Sequence, residues 1–170
     1  MDPRSMNRDS QEVLLAFLDT RPEEGFPDHL VDLDDLRTFA PEARVRDVAR
    51  ARTLRDELAQ TLLAPSVTTI SEGLTAICGK YQVTPTFVHP DDGLQWRIKD
   101  VGALTGLFTS LIAEAIALWG DGSIRRIRVC ASSSCIVPFI DTSRRQDRMY
   151  CGPRCATRER VRKHRALDRG

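Results

Sequence analysis

Four cysteines in the last third of the chain, Cys130, Cys135, Cys151 and Cys155, restrict its folding more than any other feature. They form two close pairs, C-x4-C and C-x3-C, separated by fifteen residues. A tight turn can present two thiolates to one metal, and a gap of this length lets two such turns converge on a tetrahedral site. One zinc held by all four cysteines is the expectation. Structural zinc sites have four protein ligands and no open position for substrate, so the metal is expected to build a fold rather than perform chemistry. Two disulfides are the competing use of these residues. Met1 to Ser10 is polar and charged, with no apolar run of secretory length behind it. The chain therefore reads as cytoplasmic, where thiols stay reduced and paired cysteines more often bind metal. Cys78 follows Ile70, Leu74 and Ile77 at helical spacing and is expected to pack as a small core side chain.

Charge divides the chain at about the same place. The net charge of +1 over 170 residues conceals an acidic segment, Met1 to Ile124, with 12 basic and 20 acidic residues, and a basic one, Arg125 to Gly170, with 13 basic and 4 acidic. Such asymmetry suits a basic module made for an acidic polymer or surface, carried by an acidic body. With 41% hydrophobic residues there is enough apolar material for one medium core plus an appendage. The most apolar stretch, Val101 to Trp119, contains Glu114 and glycines, and reads as a buried helix rather than a membrane span.

The body reads as mainly α with one small β-hairpin. Ser10 to Asp19 places Val13, Leu14, Phe17 and Leu18 on one helical face, with Asp9 and Glu12 as a capping pair. After a turn-rich stretch, Thr20 to His29, a short helix is expected at Asp34 to Phe39. Pro41 fits the first turn of a long helix carrying Val48, Ala51, Leu54, Leu58 and Leu62, which Pro65 ends. A further helix, Ser66 to Lys80, buries Val67, Ile70, Leu74 and Ile77. Thr86 to Val88 and Leu94 to Ile98 flank the turn formers His89 to Gly93, which is a hairpin signature. Asp100 is expected to cap the last body helix, whose Leu104, Leu107, Phe108, Leu111, Ile112, Ala115 and Trp119 form the central core. Gly120-Asp121-Gly122 ends that helix and marks the boundary, giving residues 1–122 as the helical body and 123–170 as the finger.

In the finger, Ile124 to Val129 alternates apolar and arginine residues as a strand would, leading Cys130 into a knuckle that Cys135 closes. Pro138-Phe139-Ile140 runs into a polar turn at Asp141-Thr142-Ser143, and Cys151-Gly152-Pro153 opens a helix. A helix beginning between the last two cysteines sets both sulfurs toward one metal, and its N-terminal dipole favours thiolate over thiol. This is the logic of a small treble-clef-like zinc finger.

These residues carry a resemblance. Cys130-x4-Cys135, then Phe139 to Arg144, an aromatic just before Cys151, and Cys155-x2-Arg158 entering a basic helix with Lys163-His164-Arg165 together resemble the CGNR zinc finger. That bacterial family usually stands behind a helical ABATE domain and is described as a group of stress-induced transcription regulators. Leu14 to Thr20 is similar to the Leu-Asp-Phe-x-Asn-Thr segment that opens those N-terminal domains. The resemblance implies zinc binding, DNA binding, transcription regulation in a stress response, and an ABATE-like body. The motif Cys-Gly-Asn-Arg reads here Cys155-Ala156-Thr157-Arg158, and Tyr150 replaces the usual Trp. All four ligands are kept, as is Arg158, while the roles of Gly and Asn in that motif do not carry over.

Charge and spacing make DNA the expected partner of the finger. Arg158, Arg162 and Arg165 fall at i, i+4 and i+7 on the last helix, with Lys163 beside them, and Arg144, Arg145 and Arg148 lie in the loop before Cys151. Arg125, Arg126 and Arg128 lie on the first strand. Phosphate contacts from such groups release counterions, whereas base readout requires an arginine to reach a groove edge. The alternatives are a solvated face, or pairing with acidic residues of the body such as Glu23, Glu24, Asp32, Asp34 and Asp35. His29, His89 and His164 are scattered, and there is no Gly-rich phosphate loop, paired-carboxylate signature or nucleophile motif, so no enzymatic role is expected. A small-molecule effector between the body helices and the hairpin, near Trp96 and Trp119, and a homodimer are compatible with this reading, though both tryptophans are more readily core residues. The chain reads as a zinc-dependent, DNA-binding transcription regulator with an effector-sensing body. The competing reading is a zinc-stabilised protein-interaction module that never touches DNA.

Overall fold

The structure, a computed structural model, describes residues 13–22, 25–88, 95–98 and 102–167, and for 85–88 and 95–98 the backbone only. Residues 13–19 are helical (α1), and Leu14, Phe17 and Leu18 are fully buried, the face expected from their spacing. Asp9 and Glu12 lie outside the described residues. The next helix, α2 (Leu33–Arg37), is short because a reciprocal cap fixes its start: Asp32 accepts from the backbone N–H groups of Asp34 and Asp35, and Asp35 accepts from that of Asp32. Asp32 and Asp35 are thereby engaged locally rather than offered to the finger; Glu23 and Glu24 lie outside the described residues.

Helix α3 (Asp47–Leu62) starts six residues after Pro41, a correction to the expected first turn. Between them the chain makes successive tight turns, Ala43 N–H to Ala40 O at 2.9 Å and Asp47 N–H to Arg44 O at 2.8 Å. The Asp47 carboxylate accepts from Arg44 N–H at 2.9 Å, which fixes the start there. Helix α4 (Val67–Lys80) follows directly and is capped by Ser66, whose hydroxyl accepts from Thr69 N–H at 3.2 Å. The two helices approach closely at Gly73, where a Cβ would lie 2.6 Å from Thr61 Oγ1. Ile70 and Ile77 are buried, Val67, Leu74 and Cys78 partly so, and Cys78 is a free thiol packed against the core.

Strands β1 (Pro85–Val88) and β2 (Gln95–Ile98) pair antiparallel, with Phe87 opposite Trp96. This is the expected hairpin; His89 and Leu94 lie outside the described residues. Helix α5 (Thr105–Gly120) buries Leu107, Phe108, Leu111, Ile112, Ala115 and Leu118. Its N-cap is Leu104, which makes no side-chain cap, and Asp100, from which a cap is expected, lies outside the described residues. Trp119 is a second correction: at 40% exposure it is not core, and with Ile116, Leu74 and Cys78 it lines an open groove of about 350 Å³.

Gly122, at φ +75°, turns the chain out of α5 into a 3-10 turn, Ser123–Arg126, followed by β3 (Ile127–Val129). The strand expected from Ile124 is therefore only half formed. Ile124 and Ile127, three apart, are both buried in the same core as the body helices, and that demand sets a three-residue period before the strand begins. Strand β4 (Pro138–Ile140) pairs antiparallel with β3, Ile127 opposite Ile140, and Ile140 packs against that core. Helix α6 (Pro153–Leu167) completes the described chain. None of the described helices is long and apolar enough to cross a membrane.

Candidate metal centre and its basic helix

The β3–β4 hairpin carries the first cysteine pair. Cys130 N–H bonds Val137 O at 3.0 Å across the hairpin mouth, and Cys135 N–H bonds Ser132 O at 3.1 Å, folding residues 130–135 into a knuckle. The second pair stands at the entry to α6, with Cys155 in its first turn. Ala131 N–H to Met149 O, 2.8 Å, ties the segment before Cys151 to the knuckle.

All four sulfurs lie within 4.8 Å of one another, and Cys130 and Cys155 are buried. Cys135 Sγ is 3.7 Å from Cys151 Sγ, and Cys151 Sγ is 3.8 Å from Cys155 Sγ. A tetrahedral zinc with bonds of about 2.3 Å requires sulfurs about 3.8 Å apart, so this donor set fits the metal. The electrostatics agree. Burial works to raise the Cys130 thiol, but the backbone N–H groups of Cys151, at 3.5 Å, and of Ser132 pull it below its ordinary value. Burial pushes the Cys135 thiol up, and burial together with the neighbouring sulfurs pushes that of Cys151 up strongly. Four thiolates this close require a cation between them. The protein binds one zinc here, a closed structural site made of two turns that the metal joins.

Two acidic residues hold these turns in place, Glu159, which the sequence did not point to, and Asp141 of the expected polar turn. Glu159, 2% exposed, points from α6 into the knuckle. Its Oε1 accepts Ser133 N–H and the hydroxyls of Ser132 and Ser133, each at 3.0 Å, and its Oε2 accepts from Arg162 at 2.7 Å. Burial works to raise its carboxyl, yet the Arg162 guanidinium and the Ser133 N–H outweigh this and lower it to about 2. Its sequence signal was its place four residues after Cys155, on the ligand-bearing face of the helix. Asp141, fully buried, accepts Ser143 N–H and Arg148 N–H, both at 2.9 Å, and so shapes the loop that leads to Cys151. Hydrogen bonds, that from Ser143 foremost, hold its carboxyl below the usual range.

The candidate cations divide into two groups. Arg158 donates to Ser134 Oγ at 2.5 Å, and Arg162 pairs with Glu159, so both are tied to the knuckle. Arg148 donates to the carbonyls of Tyr150 and Cys151 and lies 5.4 Å over the Phe139 ring, which makes it a clasp of the loop. Arg145 forms an exposed pair with Asp147, and Arg144, Lys163 and Arg165 are exposed. Arg158, Arg162 and Arg165 line one face of α6 with Val161 and Ala166, the stripe expected from their spacing. His29 and His164 are exposed and lie apart from the cysteines.

No curated protein matches the chain. Residues 126–167 match the family model of the CGNR zinc finger, and with the four sulfurs at tetrahedral spacing that segment is a zinc-binding finger.

Proposed function

We propose that this protein is a zinc-dependent, DNA-binding transcription regulator in which residues 1–122 form an effector-sensing helical body and residues 123–170 the nucleic-acid-binding finger. The observation that carries this reading is the basic face of α6, Arg158, Arg162 and Arg165 in one stripe, on a helix whose adjoining face is fixed by Cys155 and Glu159. A rigid helix of this kind suits the major groove, about 12 Å wide, and the exposed Arg144, Arg145 and Lys163 supply further phosphate contacts. The similarity of Leu14 to Thr20 to the opening of ABATE domains supports a stress-responsive bacterial regulator, acting in the cytoplasm and without a catalytic step.

One observation favours a second reading, a protein-interaction module. Val161 and Leu167 of α6 are 43% and 81% exposed, an apolar component that phosphate binding does not require. Salt-titrated binding to duplex DNA separates the two. A steep loss of affinity with rising salt supports phosphate contact, and absence of binding at low salt rejects it in favour of the protein partner.

A further inference from the structure

Between the α3–α4 turn and the start of the finger lies a cavity of about 290 Å³, at the small end of ligand sites, which run from roughly 300 to 1,000 Å³. One wall is apolar and comes from the body, Leu63, Pro65 and Val67. The other comes from the lead into the finger, where Ile127 stands with Arg125 and Arg128. None of the described residues that line it is acidic, and two are permanently cationic. The Arg125 side chain makes no hydrogen bond or ion pair among the described residues, and Arg128 donates one N–H, to Gln146 O at 3.2 Å. Two exposed cationic residues thus line a cavity whose facing wall is apolar, and the Arg128 guanidinium also lies near the Asp141 carboxylate.

We propose that this cavity binds a small aliphatic or aromatic carboxylate, its carboxylate paired with Arg125 and Arg128 and its apolar part against Leu63, Pro65 and Val67. A guanidinium fork matches a carboxylate in bidentate geometry, and a monoanion neutralises the excess charge at a smaller desolvation cost than a phosphate dianion. The apolar wall rewards a hydrocarbon tail over a fully polar anion. This deepens the effector-sensing role proposed for the body and rests on that division of the chain. It places the effector where body and finger meet, not near the β1–β2 hairpin. A ligand that touches Val67 on one side and Arg128 on the other fixes the start of β3, the strand that leads directly into Cys130.

The test uses the full-length zinc-loaded chain and no DNA, so its failure is separate from failure of nucleic-acid binding. Hexanoate is titrated by calorimetry and by the methyl spectrum, with hexylammonium as the charge-reversed control. Saturable hexanoate binding, absent for hexylammonium, with a shift of the Val67 methyls and at least a tenfold loss in Arg125→Gln and in Arg128→Gln, is the expected result. Should Arg128→Gln disturb the hairpin, Arg125→Gln carries the test, since that side chain bonds to no described residue. No saturable binding of hexanoate, equal binding of hexylammonium, or unchanged affinity in Arg125→Gln overturns the proposal.

Discussion

Glu159 accepts the backbone N–H of Ser133 at 3.0 Å, so the helix that carries one zinc ligand grips the turn between two others. The contact crosses from α6 to the knuckle without touching a sulfur, and acts by orientation. Groups that orient metal ligands through outer hydrogen bonds typically change metal affinity 10- to 100-fold when removed. Glu159→Ala is expected to lower zinc affinity within that range, measured by competition with a chromophoric chelator, and Glu159→Gln by less. Affinity unchanged in Glu159→Ala would show that the knuckle holds its shape alone.

The four sulfurs predict a sharper result at the metal. Cys151→Ala removes a ligand of the cluster and is expected to abolish stoichiometric zinc, whereas Cys78→Ala, away from the cluster, is expected to retain one zinc per chain. Metal analysis of the two purified variants decides it, and the reverse pattern would refute the assignment. Chelation of the parent protein is expected to unfold the finger while the body keeps most of its helical circular dichroism, because metal binding and folding are coupled in so small a unit. Ile124 and Ile127 lie in the body core, so the unfolding is expected to stop near the base of β3.

A third prediction concerns the body in acid. Arg55 is 1% exposed and is held by Asp28 through two bonds, 2.6 and 3.1 Å, and by Asp56 at 2.8 Å. Burial works to raise the Asp28 carboxyl, but the Arg55 guanidinium and the Leu30 N–H bring it below its ordinary value of 3.8. A carboxyl lowered by folding stabilises the native state fully above its unfolded value, and that contribution is lost as pH falls through the folded one. Acid should therefore destabilise the body below about pH 4. Removing one partner of a buried pair costs about 3–5 kcal/mol when both are enclosed. Asp28 is 26% exposed, so Asp28→Asn is expected to cost less, about 2 kcal/mol, and to flatten the acid limb of a urea-unfolding profile against pH. A variant with parental stability at pH 7 and the parental acid limb contradicts this.

How far the sequence was legible follows from the range over which each signal acts. Cysteine spacing is a local signal with one geometric solution, so the ligand set and the two turns could be read directly. The α4 and β1–β2 assignments rested on period and turn residues, and the structure has both elements. Pro41 misled because proline is compatible with a tight turn as well as with a first helical turn, and the Asp47 carboxylate on Arg44 N–H decided between them. Ile124 to Val129 reads as a strand by alternation, but burial of Ile124 in the body core is a tertiary demand that no alternation encodes. Trp119 lies one turn beyond Ala115 on a core-facing pattern, yet the helix runs past the core there and leaves the ring at the surface. Glu159 was hidden among arginines, since a buried carboxylate in a basic helix becomes visible only once the knuckle donors are placed against it.

The last prediction separates structural from contacting arginines on α6. Arg158 and Arg162 each have a partner in the finger, Ser134 and Glu159, whereas Arg165 is exposed beyond them. Arg165→Ala is expected to leave zinc affinity unchanged and to reduce the salt slope of DNA binding by about one, alike on specific and non-specific duplexes, as for a single lost phosphate contact. Arg162→Ala is expected to lower both DNA and zinc affinity, because Glu159 loses its counter-charge. Arg158 is the one candidate for base readout, and Ser134→Ala frees its guanidinium without altering its charge. If Arg158 reads a base, Arg158→Ala costs about 1–3 kcal/mol on the cognate duplex only, while Ser134→Ala keeps DNA affinity within a few fold. Equal loss in Arg158→Ala and Ser134→Ala on every duplex, with zinc released, would instead mean that Arg158 serves the knuckle and that the stripe contacts phosphates through Arg165 alone.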